Sequence, residues 1–427
     1  MLNKGLSISK VILYLAIIAG FTGPAFLLID IGPFSLFPFR IFLPLLWIIF
    51  LLGIIVNNGK IGIAHIKVKN YLLFLALWLV YSVLSLAWAA DKTEAIRYNI
   101  FLFMGISVIF FVVFCFSNLN DFRRFYALWL IVLVGFLGIG LWNITGHQLA
   151  FSVCVNESLC NRFTPTAVFH NPNDYAVYLA LSIPFVLAFI RYNHRLYRRL
   201  LGMTVLVIAL YLLIATLSRA NYLAVILGAG FWFLFLLKIN QKIKVFASTG
   251  LIVVVILVIL PHQTERVFET VSTQLTSLST IATAHAEVSL SSHLNLIRNC
   301  MLFLVHSLGF GVGAGNAGYY MAHLSVYDTQ GALDPHNWWV EILTDYGLFI
   351  FIGYVLLYIG VFTNLFRVRG KLTNTSEKMI CEALLVVLVI FFLASMSSGS
   401  IMALEPQWLF FAFALGFMNY CRAKLVK

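Results

Sequence analysis

The chain has 427 residues, of which 62% are hydrophobic and 10% charged, with a net charge of +12. Soluble domains carry about 25% charged residues, so the composition excludes an ordinary soluble protein and points to an all-α polytopic membrane protein. The positive balance suggests nucleic acid at first sight, but its placement along the chain argues against that partner.

Apolar stretches of the roughly 17–25 residues needed to cross hydrocarbon recur throughout. About twelve spans are expected, at 11–29, 37–56, 71–89, 99–117, 125–143, 174–190, 200–217, 219–237, 244–261, 347–366, 379–397 and 405–420. The first runs too far for a signal peptide and lacks a small-residue cleavage site, so a retained helix is expected. Lys and Arg alternate by loop. One set of loops holds 21 of them, the other holds 6, and Arg40 falls inside the second span. Positive loops stay in the cytoplasm. Both termini are therefore expected there, and the net charge is a topology signal.

Residues 1–427 thus read as one integral membrane domain, with a long extracytoplasmic loop at 262–346 between spans nine and ten. Cys154 and Cys160 lie in a shorter outer loop, where they are either a small disulfide ring or two free thiols. Cys115, Cys300, Cys381 and Cys421 lie in or near spans and suit small packing positions. No Cys/His spacing suits zinc, and no cofactor motif is present.

The long loop carries the chemistry. Leu294, Ile297, Met301, Leu302 and Val305 recur at helical spacing after Ser291-Ser292, two candidate caps. Arg298 is four residues from both Leu294 and Leu302, so it is expected on the apolar side of that helix. Arg219, in Ser218-Arg219, sits at the outward end of the turn between spans seven and eight. An arginine at hydrocarbon depth costs at least about 2.5–3.5 kcal/mol. Arg219 and Arg298 are therefore candidate anion ligands, because a guanidinium binds two phosphate oxygens at once. Arg40 reads either as a structural, snorkelling charge or as a further ligand.

His336 is the best titratable candidate, since an ordinary imidazole accepts a proton near neutral pH. Asn337, Glu341 and Asp345 recur every four residues. On a helix starting near Asn337 they share a face, with His336 at its mouth. Asp334, Glu341 and Asp345 are alternative supports for the imidazole. Trp338 and Trp339 suit a membrane interface. The run Gly309–Asn316 lacks the Lys-Ser/Thr ending of a phosphate loop. It reads as a tight turn, or else as backbone donors aimed at an anion. Asn171-Pro172-Asn173-Asp174 opens span six with capping residues, and Asn173 is also a candidate substrate contact.

Four motifs in this order resemble one family. They are Asn171-Pro172-Asn173, Ser218-Arg219, the Arg298 helix running into Gly311-Val312-Gly313-Ala314-Gly315, and His336-Asn337 followed by Glu341 and Tyr346-Gly347. Together they resemble the O-antigen ligase and polymerase superfamily of bacterial surface-glycan enzymes. The resemblance implies a GT-C-like membrane glycosyltransferase in the cytoplasmic membrane, with a helical outer lid. It implies transfer of a glycan from an undecaprenyl diphosphate carrier to an acceptor hydroxyl, with inversion and with neither metal nor nucleotide sugar. Arg219 and Arg298 would then hold the diphosphate, and His336 would act as base or orient the acceptor. Asn337, Glu341, Asn173 and Arg40 would bind substrate. The acceptor would be a second lipid-linked repeat unit, for a polymerase, or lipid A-core, for a ligase. Outside the family, a transporter of an anionic solute or lipid would use the same arginines.

Overall fold

The computed structural model describes residues 2–31, 34–56, 65–150, 152, 161–243, 284–399 and 401–425. The predicted ninth span (244–261), the first part of the long loop (262–283), and Cys154 and Cys160 lie outside these residues.

The protein is mostly helical. Its elements in order are α1 Leu2–Thr22, strands β1 Ile29–Ile31 and β2 Phe34–Leu36, α2 Pro38–Val56, α3 Lys69–Leu84 and α4 Lys92–Cys115. Then come α5 Leu119–Asn143, α6 Pro172–Tyr192, α7 Leu196–Ala215, α8 Arg219–Phe231, α9 Ala284–His306 and α10 Ala317–Leu324. The last are α11 Trp338–Arg369, α12 Thr375–Ala394 and α13 Glu405–Leu425. Eight of the described helices are long and apolar enough to cross a membrane. The antiparallel β1–β2 hairpin, with Asp30 opposite Ser35, departs from the all-helical expectation. It ends the first helix at Thr22 and occupies Ile29, where that span was expected to finish.

Capping residues mark the helix starts as local physics requires. Asp91, Asn118, Asn171, Asn337 and Asn374 each accept a backbone N–H from the first turn with their side chains. α4 and α6 are mostly buried, while α2 and α7 expose Ile55, Val56, Leu196 and Leu201. In a membrane protein those exposed side chains face lipid, and close packing rather than hydrophobicity joins the helices. A Cβ on Gly105 would lie 2.1 Å from the Trp408 ring, and one on Gly228 would lie 2.2 Å from Ile390. These two positions let α4 meet α13 and α8 meet α12.

Charged pairs that join different helices gather at one end of the bundle. Lys10 bonds Asp121 at 2.7 Å and Lys424 bonds Glu377 at 2.6 Å. Arg191 reaches Glu382 at 2.5 Å, where Tyr192 and Trp232 also donate to the carboxylate. Glu382 is 1% exposed. Glu382→Ala would therefore remove the buried acceptor of three part-buried donors, at a cost of about 3–5 kcal/mol. We expect a clear fall in the melting temperature of the detergent-solubilised protein; an unchanged melt would mean the network contributes nothing.

Candidate active site

The opposite end of the bundle is gathered by a short segment between α12 and α13, Ser395-Met396-Ser397-Ser398-Gly399. Four of its five residues meet a different arm. Ser395 O accepts Trp338 N at 2.9 Å, fixing the start of α11. Ser397 Oγ accepts from Asn221 Nδ2 at 2.8 Å, and Asn221 Nδ2 also donates to Ser218 Oγ at 2.9 Å, fixing the start of α8. Ser398 Oγ donates to Asp174 in the first turn of α6. A Cβ on Gly399 would lie 3.6 Å from Asp334 Oδ2 and 3.7 Å from His336 Cε1. Sequence reasoning missed this segment. Its only signal was a run of small polar residues at the end of an apolar helix.

The glycine turn is the second organiser. α11 breaks at Gly347, where φ is 77°, and the break frees carbonyls that a continuous helix would use. Val312 N donates to Thr344 O at 2.8 Å and Gly313 N to Asp345 O at 3.0 Å. Leu348 N donates to Gly309 O at 2.9 Å. Gly315 N and Ala317 N, each at 2.9 Å, hold the Asp345 carboxylate, and Ala314 N donates to Ser85 Oγ. Gly309, Phe310, Gly311 and Asn316 donate to Leu304 O, Ser307 O, Ser307 Oγ and Gly313 O respectively. Every N–H from 309 to 317 is thus engaged within the protein. The reading of this run as donors for a bound anion is corrected to a docking turn, whose one anion is the protein's own Asp345. Asp345 is likewise removed as a support for His336.

The other candidates are distributed as follows. Asn337 caps α11, accepting from Trp339 N at 3.1 Å and Val340 N at 3.3 Å. Glu341, one turn on, is 3% exposed. It shares a cavity of about 300 Å³ with Asp91, Glu94, Tyr98, Asp334 and Asp345. His336 has a positive φ of 50° and its ring lies 6.1 Å from that of His293. Arg219 is the first residue of α8 and is exposed. Asn173 is exposed in the first turn of α6, whose cap is Asn171. Arg40 is in the first turn of α2, at this end of the bundle. It lines a cavity of about 360 Å³ with His170, Asp174 and Glu405.

Three expectations require correction. The helix carrying Arg298 runs through Ser291 and Ser292, which are not its caps. Its buried face is Leu296, Asn299, Cys300 and Phe303, while Leu294 and Val305 are 45% and 70% exposed. Arg298 therefore sits on the exposed side, its guanidinium 5.6 Å from the Tyr327 ring and Nη1 3.4 Å from Asn295 Oδ1. Asn299 shows why the helix is turned this way. It accepts Val326 N and Tyr327 N and donates to Tyr327 O, pinning the following loop. Trp338 is also no interfacial residue. It is 1% exposed, donates to Tyr354 OH at 2.8 Å and packs against Trp78 and Trp408.

His293 was not anticipated. Partial desolvation of a side chain that stays exposed, and then the neighbouring His336 ring, hold its imidazole below the usual histidine range. A group whose folded pKa is depressed binds more protons unfolded. Its contribution to stability is complete above about pH 6.5 and falls away as the pH drops through its folded value. Replacing the ionisable ring by His293→Asn should narrow the difference between melting temperatures at pH 7.5 and pH 5. An undiminished difference would place the acid sensitivity elsewhere. A second expectation concerns docking. A Cβ on Gly311, where φ is +84°, would lie 2.5 Å from Gly347 N. Gly311→Ala should cost at least about 1–3 kcal/mol in backbone strain alone, read as faster proteolysis of the 284–337 segment; a wild-type cleavage rate would rule this out.

The comparisons with known proteins agree with this layout. The family model described as O-antigen ligase matches residues 204–356. That interval includes Arg219, Arg298, the glycine turn, His336 and the Gly347 break. The teichuronic acid biosynthesis protein TuaE of Bacillus subtilis (strain 168) is 32% identical over 415 residues, spanning 96% of this chain and 84% of that protein. A family match across the candidate site, together with a relative similar along nearly the whole chain, places this protein in the O-antigen ligase-like superfamily of surface-polysaccharide membrane proteins.

Proposed function

We propose that the protein is a glycosyltransferase that polymerises polysaccharide repeat units at the outer face of the bacterial cytoplasmic membrane. The observation that carries this reading is the convergence of α6, α8 and the start of α11 on the Ser395–Gly399 segment. That convergence sets an imidazole, exposed guanidinium groups and several carboxylates at one end of a membrane bundle. Lys10, Arg191, Arg369, Arg422 and Lys424 lie at the other end, which supports a cytoplasmic assignment for it and for both termini. The site end then meets the outer leaflet, where lipid-linked glycans are presented. A helical lid over a membrane bundle also fits a GT-C-like architecture.

In the proposed reaction the donor is a glycan on undecaprenyl diphosphate. His336 takes the proton of an acceptor hydroxyl, whose oxygen attacks the anomeric carbon and inverts it. The bond from that carbon to the diphosphate breaks, and the lipid diphosphate leaves. Arg219 and Arg298 hold the charge that develops on it. Both are exposed, so their guanidinium groups are accessible to a large lipid-linked ligand, and Arg298 rides on the lid. Two fixed cations at the leaving group supply the electrostatic help that metal-dependent transferases take from a bound ion. Asn337 positions His336 by capping the helix behind it, and Glu341 and Asn173 would bind sugar hydroxyls.

The relative's role in teichuronic acid biosynthesis favours polymerisation. The O-antigen ligase match keeps transfer to lipid A-core as the second reading. Purified protein given undecaprenyl-diphosphate-linked repeat units should produce a ladder of lengthened glycans on a gel. His336→Ala and Arg219→Ala should each reduce that product at least about a hundredfold without loss of expression. Wild-type activity in either variant removes that residue from the mechanism. Movement of lipid-linked glycan across liposomes with no lengthening or transfer would overturn the enzyme reading.

A further inference from the structure

The cavity around Arg40 is built for a ligand that the chemistry above leaves unassigned. Its volume of about 360 Å³ lies within the range of roughly 300–1,000 Å³ typical of small-ligand sites. Arg40, His170, Asp174 and Glu405 provide its polar lining, and Phe37 and Phe169 provide apolar walls. Arg40 Nη1 donates to Ser35 O at 2.5 Å. The guanidinium lies 4.6 Å from the Phe37 ring and 5.2 Å from that of Phe101. Its Nε, however, is buried and has no hydrogen-bond partner among the described residues. An unmet buried donor costs free energy that an incoming acceptor recovers; Arg191 Nε is also unmet within its ion-pair network, but Arg40 lines a cavity with room for such an acceptor.

The chemistry of the lining narrows the ligand. Glu405 lines the same cavity as Arg40, so the guanidinium already has an acidic neighbour within the protein. The cavity does not call for a second phosphate. It presents donors and acceptors together beside aromatic rings, which suits the hydroxyl edge and C–H face of a sugar ring. Its position is equally specific. Asp174 accepts from Ser398 Oγ, and the next residue, Gly399, lies against Asp334 and His336. Successive Cα atoms are about 3.8 Å apart, so the cavity wall and the imidazole border on adjacent residues of one segment.

Resting on the transferase reading, we propose that this cavity seats the terminal pyranose of the acceptor glycan. Arg40, Asp174 and Glu405 bond its hydroxyls, and its nucleophilic hydroxyl is directed past Ser398–Gly399 toward His336. Binding can be read without turnover in full-length His336→Ala protein in detergent. The probes are the methyl glycosides of glucose, galactose, N-acetylglucosamine and glucuronic acid, titrated by saturation-transfer NMR. At least one should bind with a millimolar Kd, and adding Arg40→Ala or Glu405→Gln should weaken it at least tenfold. In the otherwise wild-type enzyme, Arg40→Ala should raise the acceptor KM at least tenfold and leave the donor KM unchanged. If Arg40→Ala does not fold, the near-isosteric Glu405→Gln carries both measurements. The proposal is overturned if no glycoside binds the parent protein, if binding is unchanged in the cavity variants, or if only kcat falls. A wild-type enzyme that transfers glycan while the cavity variants behave normally sinks the subsite alone. A wild-type protein that transfers nothing sinks the transferase reading, whatever the binding result.

Discussion

The break in α11 at Gly347 is the constraint on which the site depends. A continuous helix would consume the carbonyls of Thr344 and Asp345 within its own ladder. The positive φ of Gly347 releases them, and Val312 N and Gly313 N take their place. The glycine turn can approach only because neither side carries a Cβ; one on Gly347 would lie 2.4 Å from Gly309 O. The buried Asp345 carboxylate then fastens the far side of the turn through Gly315 N and Ala317 N. Backbone bonds thus tie α9 and α10 to the bundle. Backbone bonds are short and directional, so the lid is held in register with the helix that begins at the His336–Asn337 corner.

A second consequence follows from where helices end. In hydrocarbon every backbone polar group must be satisfied inside a helix, so specific polar chemistry is confined to helix termini and the loops between them. At the site end those termini are bridged by side chains from Ser395 to Gly399 rather than by salt bridges. At the basic end they are bridged by Lys10–Asp121, Arg191–Glu382 and Lys424–Glu377. Hydroxyl bridges add no charge of their own at the site end, whereas the ion pairs at the basic end neutralise the groups they join. The two ends of one bundle therefore differ in function because their helix ends are joined by different chemistry.

That difference also decides what the sequence could reveal. Helix positions were legible because long apolar runs and Asn or Asp caps act locally. α2, α6 and α12 begin within a few residues of the expected spans. His336 and Arg219 were legible because a titratable or charged group is conspicuous beside apolar sequence. The direction of α9 was not. Its periodicity admits two faces, and the choice was made by Asn299, whose side chain binds Val326, Tyr327 and their loop. Polar residues that bury themselves by capturing backbone leave no hydropathy signal. The Ser395–Gly399 hub was invisible for a related reason. Small residues have little propensity of their own, and their partners Asn221, Asp174 and His336 are distant in the chain.

The cost of buried charge ties these observations together. A guanidinium or carboxylate held at a membrane-facing end is unfavourable unless it is paired or serves a ligand. Two backbone N–H groups offset part of that cost for Asp345, and Arg191 offsets it for Glu382. Arg298 escapes it by lying on the exposed side of the lid, over Tyr327. Arg40 is only partly compensated, since its Nη1 is bonded and its Nε is not. Ion pairs fasten the basic end of the bundle, while Arg40 faces a cavity at the site end. At Arg40 the unmet N–H is the group that the proposed acceptor sugar would satisfy.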